Sequence, residues 1–316
     1  MAESENPTIS VITPSFNQGT FIRQNIESVL AQGGSGWEHV IVDGGSDDDT
    51  VSILKEYPHL KWVSERDKGQ ADALNKAMAM SEGNLIFWIN SDDLVAPGAF
   101  AAVRAFFSSN PEASIVCGNA VTIDSEAREI RRLGPHVQAS RLRRPWNGDT
   151  SMHQPSLVFR REVYDVVGPV DVSLHYAMDY DFFLRAAARF PLHHVPVDLG
   201  LFRVSPGTKT GQSAAPAFRE VRRCLVRHVR STGDGVVWWT SLRGWIAQAY
   251  VFSNDAVACY ERGDVREARR LLVRGFLRFP PSLVSKRHLY FRVRATLGAS
   301  KYGRLQSLIS GGGREL

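Results

Sequence analysis

The 316-residue sequence has little cysteine. Its three cysteines, Cys117, Cys224 and Cys259, stand far apart, and no two of them form a Cys-x-x-Cys pair. This spacing excludes a zinc ribbon, a thioredoxin-like redox motif and the disulfide framework of a small secreted protein. A chain of this length can bury a large apolar core and needs no such cross-links. We therefore expect a core-stabilised protein from a reducing compartment.

Long apolar runs are also missing. A membrane-spanning helix needs roughly 18 or more consecutive apolar residues. The most apolar stretch, at 236–252, is interrupted by Thr240, Ser241, Arg243 and Gln248. The first residues are acidic and polar, which is not typical of a secretory signal. These features predict a cytoplasmic protein that at most attaches to the inner face of a membrane.

Two glycine-rich phosphate motifs are absent as well. The sequence contains neither Gly-x-Gly-x-x-Gly nor Gly-x-x-x-x-Gly-Lys-Ser/Thr, and Gly44-Gly45-Ser46 is too short for either. This absence argues against a dinucleotide-binding Rossmann loop and against the phosphate-binding P-loop of nucleotide-binding proteins. Any phosphate bound by this chain must be neutralised in another way.

Charge is distributed unevenly along the chain. Residues 199–316 contain 21 Lys and Arg against 7 Asp and Glu, a net charge of +14, whereas residues 1–198 have a net charge of −9. Such a change in sign predicts an acidic N-terminal part and a basic C-terminal part. The predicted domains are a first domain at 1–215, with halves at 8–95 and 96–215, and a basic helical region at 216–316.

The first half alternates between short β-rich runs and helical patterns, which predicts βαβ units and an α/β fold with a mostly parallel sheet. Predicted strands lie at 8–13, 39–42, 60–64 and 85–89, and predicted helices at 21–32, 49–57 and 70–80. Further along, strands are predicted at 114–117, 156–160 and 199–204, and helices at 180–190, 216–231, 236–252 and 265–278. Ligands of such sheets bind beyond the carboxyl ends of the strands. Polar clusters at 14–17, 43–47, 65–69 and 90–93 follow the first four strands.

Two carboxylates at the end of the fourth strand point to a metal. A phosphate beside Asp92 and Asp93 would be repelled unless a divalent cation lay between them, and Mg²⁺ or Mn²⁺ takes one or two carboxylates plus phosphate oxygens. An Asp-Asp pair is otherwise a common surface turn. Asp43 closes the second strand, where it can accept a hydrogen bond from a nucleobase or ribose, or form an Asx-type turn with Gly44-Gly45. The two interpretations of Asp43, as a nucleotide contact and as part of a turn, are compatible.

Five segments together resemble family 2 glycosyltransferases of the GT-A fold. They are 9–17 (ISVITPSFN), 42–50 (VDGGSDDDT), 65–77 (ERDKGQADALNKA), 88–93 (WINSDD) and 175–185 (HYAMDYDFFLR). The resemblance extends over about residues 8–210 in the order and spacing of that family. It implies a Rossmann-like central sheet flanked by helices, with a C-terminal helical appendage. It also implies inverting, metal-dependent transfer of a sugar from a nucleoside-diphosphate donor to an acceptor hydroxyl.

The resemblance assigns most of the strand-end residues to the donor. The implied donor-binding residues are Pro14, Ser15, Asn17, Asp43, Lys68, Gly69, Asp72, Asn75, Ser91, Asp92 and Lys209. Asp92 and Asp93 match the element that holds ribose and a divalent cation, and their two roles are not apportioned. Asn90 stands where many relatives have an Asp, and Ser205 where relatives often have a metal-binding His. Lys209 and Arg203 are then the candidate phosphate contacts.

The acceptor side follows from the same resemblance. Asp179 matches the Asp of a short family motif that lies at the start of a helix. We predict Asp179 to be the general base, with Asp181 as the alternative. Both can also cap the helix. Arg185 lies one turn after Asp181, and we predict it to be the ion-pair partner of Asp181. The predicted acceptor-side residues are His153, Gln154 and Tyr176.

Two other functions fit parts of the sequence. The run Asp47-x-Asp49-x-Val51 satisfies the Asp-x-Asp-x-Thr/Val pattern of haloacid-dehalogenase-type phosphatases, but that chemistry needs its nucleophile at the strand end, which is predicted at Asp43. The second alternative is a non-catalytic module that binds a nucleotide sugar or glycan. For the transferase, we expect a glycan or lipid-linked acceptor from cell-surface polysaccharide or glycolipid assembly, and no nucleic acid partner.

The basic C-terminal region suggests a further partner. Lys286, Arg287, Arg292, Arg294, Lys301 and Arg304 are interleaved with Tyr290 and Phe291. Basic groups near an anionic leaflet each contribute about 1 kcal/mol, so we predict peripheral contact with a membrane. However, the apolar residues around this cluster do not segregate to one helical face, and packing on the acidic first domain is the competing interpretation.

Overall fold

The computed structural model describes residues 8–134, 139–143, 153–204, 214–232, 256, 259 and 264–278. The chain divides into two compact units, of which the first ends at Gly211 and the second begins at Gln212. Several predictions fall outside the described residues: the roles of Ser205 and Lys209, the helix at 236–252 and the basic cluster at 286–304.

The part of the first unit that the structure describes contains a sheet of nine strands. The strands are β1 (Ile9–Ser15), β2 (Trp37–Asp43), β3 (Lys61–Ser64), β4 (Leu85–Trp88), β5 (Leu94–Val95), β6 (Ile115–Ile123), β7 (Glu129–Leu133), β8 (Leu157–Arg160) and β9 (Leu192–Arg203). Their order is β3-β2-β1-β4-β8-β6-β9-β5, and β7 pairs with β6 outside this path.

The sheet is parallel in its first half and mixed in its second. The pairs β1–β2, β1–β4 and β2–β3 are parallel, as the alternating sequence predicts. Beyond β4 the pairs β4–β8, β6–β8, β6–β7 and β5–β9 are antiparallel, while β6–β9 is parallel. The parallel strands need crossover helices, whereas β6 and β7 are joined by a short turn.

Helices connect and cover the strands. Those of the first unit are α1 (Ile22–Leu30), α2 (Thr50–Leu54), α3 (Gln70–Met80), α4 (Ala99–Ser109), α5 (Ala139–Leu142), α6 (Arg161–Val167) and α7 (Met178–Ala186), and a 3₁₀ turn spans Gln154–Ser156. Helices α1 and α3 lie between the parallel strands as crossovers. Helix α4 and strand β7 were not among the sequence predictions, and β9 begins at Leu192, seven residues before the predicted strand at 199–204.

Apolar side chains bury both faces of the parallel strands. One cluster joins Ile9, Val11 and Phe87 of the sheet to Phe100 and Phe107 of α4, among other residues. A second cluster joins Ile41 of β2 to Ile22, Ile26, Ile53 and Leu54 of α1 and α2. Burial of each such side chain contributes roughly 1.5–3 kcal/mol. This packing holds the strands rigidly, so the loops at their carboxyl ends have a firm base.

The second unit contains helices α8 (Ala214–Thr232) and α9 (Val265–Arg278) in its described part. Helix α9 has the predicted bounds, and the Asp264 carboxylate accepts a hydrogen bond from the Glu267 backbone N–H at 3.1 Å, as an N-cap does. Within the described ranges of the whole chain, no helix has both the length and the apolar character required to cross a membrane.

Candidate functional site

The ends of β1 and β2 meet at Ser15 and Asp43, which are register partners. Asp43 is fully buried and accepts hydrogen bonds from the backbone N–H of Gly45 (3.2 Å) and Ser46 (2.9 Å) and from the hydroxyls of Ser46 (2.5 Å) and Ser64 (2.6 Å). The Asx-type turn is therefore confirmed. The contact of Asp43 with a nucleotide remains a prediction.

The loop after β1 is tied to the loop after β2. The Asn17 backbone N–H donates to Ser46 Oγ (2.7 Å), and Asn17 Oδ1 accepts from the Asp47 backbone N–H (3.1 Å). Asn17 has a positive φ of 51°, a conformation that Asn tolerates better than most residues. The neighbouring Phe16 is 59% exposed.

The start of α3 is organised by its own acidic residues. The Lys68 backbone N–H donates to Asp72 Oδ2 at 3.1 Å, and this bond lowers the pKa of Asp72 below its usual value. The Gly69 backbone N–H donates to Asp67 Oδ1 at 2.8 Å, and Gly69 adopts φ 106°, which favours glycine. Three predicted donor residues, Lys68, Gly69 and Asp72, thus form one structured turn.

Asn75 has contacts of a different kind. Its Oδ1 accepts hydrogen bonds from the Val170 backbone N–H (2.9 Å) and the Tyr164 hydroxyl (3.0 Å), and its Nδ2 donates to the Val170 carbonyl (2.9 Å). The amide therefore joins α3 to the segment that follows α6. These bonds occupy both lone pairs of the amide oxygen.

Asn90 is the centre of a network behind the end of β4. Its Oδ1 accepts from Gln70 Nε2 (2.9 Å) and Trp88 Nε1 (3.0 Å), and its Nδ2 donates to Asp93 Oδ2 (3.1 Å) and Gln154 Oε1 (3.1 Å). All four hydrogen-bonding positions of the amide are thereby used. An Asp at this position could not donate either of the last two bonds. The network gives a physical reason for Asn at this position.

Asp92 and Asp93 differ in environment. Asp93 is fully buried, with Oδ1 accepting from the Arg203 backbone N–H at 2.8 Å and Oδ2 accepting from Asn90. Burial, and then the neighbouring charge of Asp92, raises the pKa of Asp93 well above its usual value. Asp92 is half-buried, and Ser91 before it is buried. Asp92 is therefore the better placed of the two carboxylates to meet a ligand.

Arg203 is not placed to contact phosphate, and the prediction that it would is corrected. Its side chain is fully buried, and its guanidinium donates to the carbonyls of Asp92, Asp124 and Ser125 and to Gln24 Oε1, each at 2.7–2.8 Å. Position along the chain could not reveal this, because the partners lie about 80 to 180 residues earlier in the sequence.

Helix α7 carries the second carboxylate pair. Asp181 is 2% exposed and forms an ion pair with Arg185, Oδ2 to Nε 2.8 Å, which confirms the predicted partner. Asp179 lies in the first turn and is half-buried. Phe183, one turn later, stacks on Trp88 of β4 with ring centroids 6.4 Å apart. This contact packs the helix that bears Asp179 against the strand that leads to Asp92.

The predicted acceptor-side residues have unequal surroundings. Gln154 is 3% exposed and bonds to the Trp88 carbonyl through Nε2 and to Asn90 through Oε1, so it braces the network behind β4. His153 is half-buried, with its ring edge-on to Phe202 at 5.6 Å. Tyr176 is half-buried beside His175, with ring centroids 4.8 Å apart. His153 and Tyr176 remain predicted acceptor contacts.

The acidic run after β2 does not resemble a nucleophile site. The strand ends at Asp43, as predicted, and Asp47 and Asp49 are exposed in the turn before α2. The Asp48 carboxylate accepts from the Gly19 backbone N–H (2.8 Å) and the Thr50 backbone N–H (2.9 Å). These carboxylates shape the turn, which argues against the phosphatase interpretation.

The carboxylates at the end of β4 match part of the ligand set that a divalent cation requires. Among the described residues, no group of three or more His, Cys, Asp and Glu side chains is placed to hold a metal ion. However, Mg²⁺ and Mn²⁺ sites that serve phosphates commonly take one or two carboxylates, with phosphate oxygens and water completing the shell. The half-buried Asp92 supplies one such carboxylate.

Sequence comparisons point to one family. The profile of glycosyl transferase family 2 matches residues 10–168, about half of the chain. The uncharacterized glycosyltransferase MT1564 of Mycobacterium tuberculosis is 33% identical over 186 residues, which cover 57% of this chain and 69% of that protein. The chondroitin synthase of Escherichia coli is 26% identical over 195 residues, covering 60% of this chain but only 28% of that protein.

Solved structures share the fold. Residues 1–349 of S. aureus TarS in complex with UDP-GlcNAc superpose with a TM-score of 0.59 at 16% identity, covering 90% of this chain and 91% of that one. The mannosyltransferase PcManGT from Pyrobaculum calidifontis, in complex with GDP-Man and Mn²⁺, superposes with a TM-score of 0.55 at 17% identity, covering 93% and 85%. At these identities the likeness shows the fold alone.

Proposed function

The chain belongs to glycosyl transferase family 2 and has the GT-A fold, and from this premise we propose that it transfers a sugar from a nucleoside-diphosphate donor to an acceptor hydroxyl with inversion at the anomeric carbon. Residues 8–95 would form the donor half and residues 96–215 the acceptor half. The observation that carries the proposal is the stacking of Phe183 on Trp88. It brings the helix of Asp179 to the strand end of Asp92.

Asp179 is the proposed general base. Inversion in one step needs the acceptor hydroxyl to lose its proton on the face opposite the leaving diphosphate, and no covalent intermediate. Asp181, the alternative, is buried and paired with Arg185 at 2.8 Å. Asp179 is half-buried at the start of α7, where a ligand can approach it. The contrast supports Asp179 over Asp181.

Asp92 is the proposed carboxylate for Mg²⁺ or Mn²⁺. When bound, the cation would neutralise the charge that develops on the departing diphosphate. Asp93 is fully buried and uses both oxygens within the protein, so we assign it to holding the loop. The loops after β1 and β2 and the turn before α3 would bind the base and ribose, through Ser15, Asn17, Asp43, Lys68 and Asp72.

The proposed acceptor is a glycan or a lipid-linked glycan, in polysaccharide or glycolipid assembly. The name of one relative, chondroitin synthase, describes polymer synthesis. His153 and Tyr176, both half-buried, are the proposed acceptor contacts.

We further propose that the second unit touches an anionic membrane from the cytoplasmic side. Helix α8 exposes Arg219, Arg223, Arg227 and Arg230 at intervals of four, four and three residues, which is one face of a helix, while its opposite face is buried. Helix α9 exposes four more arginines, at 266, 269, 270 and 274. Each basic group near an anionic leaflet contributes about 1 kcal/mol, reduced by salt.

A donor panel tests the transferase. Purified protein is mixed with UDP-, GDP- and dTDP-sugars and Mn²⁺ or Mg²⁺, with and without candidate glycan acceptors, and release of the nucleoside diphosphate is measured. Release that depends on one donor and increases with an acceptor is expected. Donor binding without release in the presence of any acceptor would favour the non-catalytic module instead.

Flotation tests the membrane contact. The full chain is mixed with liposomes of neutral lipid alone or with about 30% anionic lipid at low salt, and the four α8 arginines are changed to Gln in a matched variant. Binding to the anionic liposomes only, reduced in the variant, is expected. Equal flotation of both proteins would exclude the α8 arginines as the contact, and flotation of neither would refute the membrane contact altogether.

A further inference from the structure

Among the arginines of the first unit whose side chains the structure describes, Arg203 alone is fully buried. It lies at the end of β9 with no exposed surface, and its guanidinium lies over the Phe21 ring at 4.7 Å. Burying an unpaired charge is costly, so a side chain buried in this way must have its donors satisfied. Here the four acceptors come from three separate segments of the chain, at residues 24, 92 and 124–125.

One of those acceptors is the main chain of the proposed metal ligand. Arg203 Nε donates to the Asp92 carbonyl at 2.7 Å, and the Arg203 backbone N–H donates to Asp93 Oδ1 at 2.8 Å. A single residue therefore holds two consecutive residues of the loop after β4.

A second tether reaches the same loop from α1. Asn25 is fully buried, and its Nδ2 donates to the carbonyls of Asn90 (3.0 Å) and Asp93 (2.9 Å). Gln24, its neighbour on α1, accepts from Arg203 Nη2 at 2.7 Å. Helix α1 and strand β9 thus both hold the loop after β4 by hydrogen bonds, and Arg203 donates to the loop and to the helix.

We propose that Arg203 is a positioning residue that fixes the backbone of Asp92, so that the Asp92 carboxylate faces the cation and diphosphate. This inference rests on the proposed donor site and adds a residue to it. The planar guanidinium fork serves several carbonyls at once, which a lysine ammonium cannot do in the same geometry. Partners that orient metal ligands commonly change metal affinity by about 10–100-fold when they are removed.

The test compares Arg203→Lys with Arg160→Lys. Arg160 is a matched control, because it also lies over a phenylalanine ring (Phe107, 4.9 Å) and donates to two main-chain carbonyls, those of Ala113 (2.8 Å) and Phe107 (3.3 Å). Titration calorimetry measures the binding of UDP, GDP and dTDP, each with Mn²⁺ and with EDTA. We expect Arg203→Lys to weaken Mn²⁺-dependent binding by about 10–100-fold and to leave binding in EDTA unchanged. Arg160→Lys should change neither.

Hydrogen exchange of the ligand-free proteins provides a second readout. Exchange in each variant is measured equally far below that variant's own melting temperature. Under these conditions, the amides of residues 88–96 should exchange faster in Arg203→Lys than in Arg160→Lys. The milder variant Gln24→Ala, which removes one acceptor from an exposed position, should shift exchange in the same direction by less. Unchanged exchange in both Arg203→Lys and Gln24→Ala would overturn the positioning role. If the wild-type protein bound none of UDP, GDP and dTDP with Mn²⁺, the proposed function would fail, while the exchange result would still decide the role of Arg203.

Discussion

Two carboxylate pairs, one in the loop after β4 and one at the start of α7, are built on the same plan. In each pair one Asp is buried and held by an arginine residue, and the other is half-buried: Asp93 and Asp92 in the loop, Asp181 and Asp179 in the helix. The manner of holding differs. Asp181 pairs directly with the Arg185 side chain, whereas Asp93 receives the Arg203 backbone N–H and the Asn90 amide.

The difference shows what local and distant contacts can do. The Asp181–Arg185 pair lies four residues apart on one helix, so it forms as soon as the helix does. Asp93 accepts from Arg203 of β9, and the Asn90 amide that also holds it is bonded to Gln154 just before β8, so this network exists only when β4, β8 and β9 have assembled. We therefore expect the helix pair to tolerate changes elsewhere in the molecule, and the loop pair to depend on its whole network.

The largest expected effect comes from substituting the two carboxylates of α7, Asp179 and Asp181, one at a time. Asp179→Asn should reduce transfer by about 10²–10⁴-fold with donor binding retained, since it removes the proposed base. Asp181→Asn should instead lower the free energy of unfolding, by up to about 3 kcal/mol, because it leaves Arg185 without its charge partner. Steady-state kinetics and urea unfolding of both variants measure the contrast. Near-normal turnover of Asp179→Asn with an inactive, stable Asp181→Asn would reverse the assignment.

Single substitutions of Asp92 and Asp93, in the loop after β4, should also have different effects. Asp92→Asn should weaken Mn²⁺-dependent donor binding by more than about 10-fold with little change in stability, and EDTA should have the same effect on the wild-type protein. Asp93→Asn should lower the melting temperature and keep its sensitivity to EDTA. Calorimetric titration with and without EDTA distinguishes them. Donor affinity that is the same in EDTA would remove the metal from the proposal.

Asn90→Asp tests whether the loop depends on its network. The substitution removes two donated hydrogen bonds and places a carboxylate beside Asp93 Oδ2, 3.1 Å from the present amide nitrogen. We expect the free energy of unfolding to fall by on the order of 2–4 kcal/mol. Asn119→Asp is the matched control: it also faces a carboxylate, Asp198, but that group is paired with Arg132 and should be affected less. Equal losses in the two variants would contradict the network argument.

The effect that is smallest at neutral pH concerns a buried imidazole. His39 is fully buried on β2, its Nε2 lies 3.0 Å from Thr13 Oγ1, and burial, followed by the charge of His59, lowers its pKa to about 3. The unfolded chain takes up the proton below about pH 6.5 and the folded chain does not. Stability should therefore fall by at most about 1.4 kcal/mol per pH unit between pH 6.5 and 3, and not change above that range on account of His39.

Urea unfolding from pH 4 to 7 checks this prediction in the wild-type protein, His39→Gln and His59→Gln. The acid-dependent loss should be smaller in His39→Gln and remain in His59→Gln, because His59 is exposed. A wild-type and a His39→Gln protein with parallel pH profiles would show that His39 does not titrate in this way.

Much of the first half could be predicted from the sequence. Strands β1 to β4 and helices α1 to α3 follow from the alternation of apolar runs with helical patterns, and β1, β2 and α3 end within two residues of their predicted bounds. The second half was predicted less well. Strand β7 is highly charged, and β9 contains Pro196 and several polar residues. Their strand structure depends on pairing with β6, which a local pattern does not reveal.

The sequence by itself determined the kinds of side chain at the strand ends, the family, and the ion pair of Asp181 with Arg185, because each of these depends on neighbours along the chain. Only the tertiary structure decided which carboxylate of each pair is buried. It also turned Arg203 from a predicted phosphate contact into a residue buried behind Asp92. The physical reason is distance along the chain: Arg203 and Asp93 are 110 positions apart, and Asn90 and Gln154 are 64 apart. Contacts of that separation exist only after the sheet has brought β4, β8 and β9 together.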